Sequence, residues 1–204
     1  PRCQQRLGIA LHAGFGAAPL TVQGIQTLGQ RQRLFQRGGQ QALDAGIVVG
    51  LFNTASEGYQ DLGVAYVGQE FIPAGIVSGQ QAAKHAQEIT GRTDGKIILG
   101  TIAPGHSALD ARMEGARQGI AAYNEENGTS YTTEDLTTST DGPTAIAAID
   151  AKYAQDGDEI VGFAHADFVH WHTATWIEQN GLEGKFANGG FDLVPGVLDA
   201  IATG

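Results

Sequence analysis

From Gln40 onward, short apolar runs alternate with longer segments of helical character. "QQALDAG" reads as the last turns of a helix closed by glycine. "IVVGLFN" is a continuous apolar run of the sort buried in a parallel sheet. "LGVAYVGQE" is a second strand, and "PAGIVSGQQAAKHAQEITG" a helix with Pro73 in its first turn and Gly91 at its end. The pattern continues through strand "GKIILGTI", helix "SALDARMEGARQGIAAYNEENG", polar edge strand "TSYTTEDLTTS" and helix "GPTAIAAIDAKYAQDG". It closes with strand "EIVGFAHA", helix "FVHWHTATWIEQNG", strand "KFANGGFD" and helix "VPGVLDAIATG". Strands separated by helix-length segments pair in parallel, because a parallel neighbour needs a crossover connection. The expectation is an α/β, doubly wound parallel fold.

Charge narrows the function classes. The formal net charge is −10 over 204 residues, the wrong sign for a nucleic-acid surface. No apolar run approaches the ~20 residues of a membrane span. The single cysteine, Cys3, excludes an internal disulfide. The charge is unevenly spread: residues 1–43 hold five of the twelve basic residues and none of the 22 acidic ones. Residues 1–39 are also rich in Gln, Arg and Gly and follow neither helical nor strand periodicity. They read either as a basic extension or as sequence foreign to the fold.

In doubly wound sheets ligands bind at the carboxyl ends of the strands, where loops and helix N-termini converge. Those ends carry "FNT" at 52–54, "GQE" at 68–70, "APGHSALDAR" at 103–112, "HAD" at 165–167 and "GFD" at 190–192. Asn53, Gln69, His106, Arg112, Asp167 and Asp192 are the hydrogen-bonding side chains there. Sugar hydroxyls both donate and accept. A sugar site therefore calls for carboxylates and amides as acceptors and a guanidinium as a forked donor.

The ordered set "LDAGIVVGLFNTA", "AYVGQEFIPAGIVSG", "GKIILGTIAPGHSALDARMEG", "IVGFAHAD" and "GLEGKFANGGFDLVPGVLDAIATG" resembles the type I periplasmic sugar-binding proteins. Ribose-binding protein is one of them, and they are related to the ligand domains of lactose-repressor-type regulators. The resemblance covers about residues 40–204. It implies a two-lobed fold with an unmatched segment 1–39, part of an N-terminal lobe over 40–92 and a C-terminal lobe over 93–204. The N-lobe would be incomplete, with further elements expected beyond Gly204.

Asn53 and Gln69 would then be N-lobe ligand contacts, Arg112 the guanidinium that bridges sugar hydroxyls, and Asp192 a carboxylate that accepts from them. Ala166-Asp167 stands where ribose binders carry an Asn-Asp pair, leaving Asp167 or His165 to supply that contact. Phe52 stands where they place an aspartate.

The resemblance implies a monomeric binder of a small sugar or polyol in an interlobe cleft, working without a cofactor. The sugar would pass to the membrane permease of an ABC transporter. Such a protein would be periplasmic, or held outside the cytoplasm by a lipid anchor. The alternative is the effector domain of a transcription regulator.

Each residue also has a plainer reading. Arg112 could form a solvated salt bridge, Asp192 could cap the helix that begins near Val194, and Asp167 the helix after it. His170 and His172 lie two apart on a helix and cannot share a metal. His106 and Ser107 are adjacent and form no nucleophile–base pair, so catalysis is not expected. Phe168, Trp171 and Trp176 read as core, with Phe168 nearest the strand end.

Overall fold

A computed structural model describes residues 28–53 and 58–203, so most of the unmatched segment 1–39 lies outside the described residues. The chain divides into two compact units, Pro1–Gln69 and Glu70–Gly204.

In the first unit, helix α1 (Leu28–Asp44) ends where the Gly46 and Ile47 amides donate back to Leu43 and Ala42. This is the glycine-closed helix end expected for "QQALDAG". Strands β1 (Gly50–Asn53) and β2 (Ala65–Gly68) follow and pair in parallel, with Asn53 opposite Gly68.

The second unit holds α2 (Phe71–Thr90), β3 (Asp94–Thr101), α3 (Ser107–Asn127), β4 (Ser130–Thr137) and α4 (Gly142–Asp156). It continues with β5 (Ile160–His165), α5 (His170–Gln179), β6 (Ala187–Gly189) and α6 (Pro195–Thr203). The four strands form one parallel sheet in the order β4-β3-β5-β6, so the polar strand "SYTTEDLT" is an edge, as its composition predicts. Side chains alternate across β3. Ile97 and Leu99 pack with Ala83 and Ala86 of α2 and Met113 and Ile120 of α3. Ile98 faces the other way, among Ile149 of α4 and Phe163, Trp176 and Phe186. A sheet buried on both faces explains why β5 carries no exposed residue at all.

Residues 70–92 belong with the second unit because α2 packs closely on α3. The reason is four glycines. A Cβ at Gly75 would lie 2.2 Å from the Arg112 carbonyl oxygen, and one at Gly115 would lie 2.2 Å from that of Ile72. One turn on, Gly79 and Gly119 meet the backbones of Ala116 and Ile76 in the same way. The two helices thus touch main chain to main chain, which only glycine permits.

Two details depart from the sequence reading. Helix α5 begins at His170 rather than Phe168. Trp176 is core, whereas Trp171 is 38% exposed and stacks on the His172 ring at 5.0 Å.

His165, at the end of β5, is fully buried, with Nε2 2.8 Å from Thr173 Oγ1. Burial, reinforced by the neighbouring His170 and His172, depresses its pKa from 6.5 to about 3.

Two outcomes follow from this packing. Gly75→Ala and Gly119→Ala should each destabilise the chain by about 1–3 kcal/mol or more, since the clash is with backbone rather than a movable side chain. Chemical denaturation followed by circular dichroism measures this. Unfolded His165 takes up its proton near pH 6.5 while the folded residue stays neutral until about pH 3, so stability should fall progressively through that window. In melts between pH 7 and 4.5, His165→Leu should show a shallower decline than the parent. It should not be flat, because burial lowers the His170 pKa as well.

Candidate functional site

The strand order of the second unit reverses direction between β3 and β5. From β3 the chain turns through α3 to β4 on one side, and from β4 it crosses back to β5 on the other. At such a switch point the loops leaving adjacent strands diverge and open a crevice. Here they are the loop between Thr101 and Ser107 and the loop between His165 and His170.

Asp167 ties these two loops together. The Ile102 amide donates to its Oδ2 at 2.8 Å and the Val169 amide to its Oδ1 at 3.0 Å. Asp167 is buried, and burial raises its pKa while the two amide bonds lower it. Its main-chain oxygen accepts from the Phe191 amide at 3.1 Å, joining the loop after β6 to the same point. His170 Nδ1 lies 3.2 Å from that oxygen. The loops fit without a side chain at Gly190, where a Cβ would lie 2.3 Å from His170 Nδ1 and 2.6 Å from the Asp167 oxygen.

Arg112 reaches this crossing from the second turn of α3. Its Nη1 donates to the Ala166 carbonyl at 2.9 Å. The guanidinium carbon stands 4.1 Å from the centre of the Phe191 ring and 5.3 Å from that of Phe71. Burial lowers the Arg112 pKa, and the charges of Asp192 and Asp167 oppose that shift. Asp192 follows Phe191 in an exposed turn and has a left-handed φ of 70°, which Asp tolerates better than most residues.

The plainer cap reading fits Asp167, whose side chain receives the Val169 amide beside α5. It does not fit Asp192. The Val197 and Leu198 amides in the first turn of α6 donate to the Val194 carbonyl rather than to Asp192.

The structure thus brings Arg112, Asp167 and Asp192 together. His106 occupies the N-cap position of α3 without capping it through its side chain, and its carbonyl accepts from the Asp110 amide. Asn53 and Gln69 lie in the first unit, at the carboxyl ends of β1 and β2. The Tyr66 hydroxyl joins them, its single proton shared between the two main-chain oxygens at 2.9 and 3.1 Å. Asn53 has a left-handed φ of 62°.

Sequence reasoning missed Phe71, Phe191 and the Ala166 carbonyl. Phe191 sat inside the quoted "GFD", but nothing in a sequence marks a ring as the neighbour of a particular arginine. Among the described residues, no three or more His, Cys, Asp or Glu side chains are placed to hold a metal ion.

The family model described as "Periplasmic binding protein domain" matches residues 36–204. No curated protein matches the chain. Among solved structures, it is similar to an ABC transporter solute-binding protein from Agrobacterium vitis bound with α-D-tagatopyranose. The two are 22% identical with a TM-score of 0.61, over 86% of this chain and 57% of that one. It is similar also to a periplasmic solute-binding protein from Actinobacillus succinogenes with bound D-allose, at 19% identity and TM-score 0.66, over 83% and 59%. A third is a carbohydrate transporter solute-binding protein from Agrobacterium radiobacter in complex with D-arabinose, at 13% identity and TM-score 0.65, over 86% and 65%. The chain thus spans roughly three fifths of the length of these structures. Parallel sheets, strand-end loops and the family match agree with the type I periplasmic-binding-protein fold expected from the motifs. The chain belongs to the periplasmic binding protein domain family.

Proposed function

We propose that this chain binds a neutral sugar or polyol and serves as the solute-binding component of an ABC transporter, outside the cytoplasm and without catalysing a reaction. The observation that carries this reading is the Arg112–Asp192–Asp167 cluster at the switch point of the second unit's sheet. A guanidinium offers in-plane donors, and the exposed Asp192 carboxylate offers acceptors, which together suit a hydroxyl-bearing ring. Two carboxylates near one guanidinium disfavour a second anion, so sugar acids and sugar phosphates are the poorer ligands. Asn53 and Gln69, at the strand ends of the first unit, are the further contacts proposed.

The similar structures with bound tagatopyranose, allose and arabinose support the choice of ligand class. Their description as transporter solute-binding proteins favours transport over an effector domain of a regulator.

The test is calorimetric titration of the 204-residue chain with D-tagatose, D-allose and D-arabinose. At least one should bind. A charged hydrogen bond to a ligand hydroxyl contributes roughly 1.5–3 kcal/mol, so Arg112→Lys and Asp192→Asn should each weaken that sugar by about tenfold to a hundredfold. Lysine should not substitute for arginine, because an ammonium lacks the planar fork. Asp192→Asn should leave the melting temperature of the ligand-free chain unchanged, since the carboxylate caps no helix. If both variants bind like the parent, the assignment of this site is wrong.

A further inference from the structure

We propose that Phe191 and Phe71 are positioning residues for the Arg112 guanidinium, which they hold by ring contact so that it meets its ligand through in-plane N–H groups. This inference rests on the reading of Arg112 as a sugar contact and adds to it how the arginine is kept in place.

An arginine side chain has four rotatable bonds, and holding it in one geometry costs conformational entropy at the moment of binding. A site that prepays this cost binds more tightly. Three contacts from three different elements converge on Arg112. The Ala166 carbonyl, just after β5, takes Nη1 at 2.9 Å. The Phe191 ring, just after β6, lies 4.1 Å from the guanidinium carbon, and the Phe71 ring, at the start of α2, lies 5.3 Å from it. Both rings are within the ~6 Å over which an aromatic face attracts a cation. Both are half-buried, so water screens the attraction only in part.

The helix crossing delivers the α2 ring. Phe71 precedes Gly75 by four residues and so shares its face of the helix. Gly75 is the residue whose Cα touches the backbone of α3, where a Cβ would lie 2.2 Å from the carbonyl oxygen of Arg112 itself. Phe191 is set from the other side by its amide, which donates to the Asp167 carbonyl beside Ala166. Rings against the guanidinium face reserve its edge for oxygen acceptors. Recognition by Arg112 is therefore directional hydrogen bonding to hydroxyls rather than stacking.

The test combines a spectrum with a mutant cycle. In a proton–nitrogen correlation spectrum of the 204-residue chain, the Arg112 Nε–Hε signal is identified by its loss in Arg112→Lys. It should be displaced upfield by the ring current relative to the signals of Arg92 and Arg117. Phe191→Leu should move it back toward those signals, Phe71→Leu should do so less, and Phe191→Tyr, which keeps the ring, should not.

In titrations with D-tagatose, D-allose and D-arabinose, Phe191→Leu should weaken the bound sugar by about threefold to thirtyfold. It should cause no further loss when added to Arg112→Lys, because the ring acts through the arginine. An undisplaced Arg112 signal in the parent, which needs no variant to fold, overturns the proposal. An equal loss from Phe191→Leu with and without Arg112 also overturns it, since the ring would then touch the sugar directly. If instead none of the three sugars binds, or Arg112→Lys binds like the parent, the functional reading fails while the spectrum still decides the clamp.

Discussion

The contact on which the second unit depends is the glycine-lined crossing of α2 and α3. Gly75 and Gly79 on one helix, and Gly115 and Gly119 on the other, let the two backbones meet with no side chain between them. That approach fixes more than a helix pair. It attaches residues 70–92 to the sheet that follows them, and it sets Phe71 against Arg112. It also closes the layer over Ile97 and Leu99, so the core on that face is built from alanines and a few larger residues of α3. Close packing leaves no slack at such a point, and a single methyl group must move a helix.

A second constraint acts at the strand ends. Asp167 receives amides from the loop after β3 and from the end of its own loop, while its carbonyl receives the loop after β6. Three strand ends are pinned by one residue. A buried carboxylate is costly unless it is hydrogen-bonded, and here the bonds that repay desolvation also hold the crevice edge in shape. Arg112 is tethered to the same loop through Ala166, so the charged groups at the crevice edge stand on a fixed frame.

Much of this was open to reading in the chain. Apolar runs such as "IILG" and "IVGF" read as strands of a sheet covered on both faces, and the helices between them call for parallel pairing. Arg112, Asp167 and Asp192 could be placed at strand ends by counting along those elements. Their separate duties could not. Asp167 and Asp192 both precede helices and both suit a cap, yet in the structure Asp167 is buried and receives the Val169 amide, whereas Asp192 is exposed. Trp171 and Trp176 share one helix, and burial separates them by the direction each faces. The close crossing of α2 and α3 was hidden for a similar reason. The glycines of "GIVSG" and "GARQG" are visible in the sequence, but a spacing of four marks a close crossing only when a partner with the same spacing lies against it.

The sequence by itself determined the alternation of elements, the parallel sheet and the edge on which ligand-type side chains lie. Those follow from periodicity and from where the chain must turn, and both are local properties. Tertiary structure alone decided which helix packs on which, which aspartate is structural and which is offered outward. It alone placed Phe71 and Phe191 against Arg112. These are meetings between residues far apart in the chain. Their energies depend on burial and distance, which exist only once the sheet has brought its strand ends together.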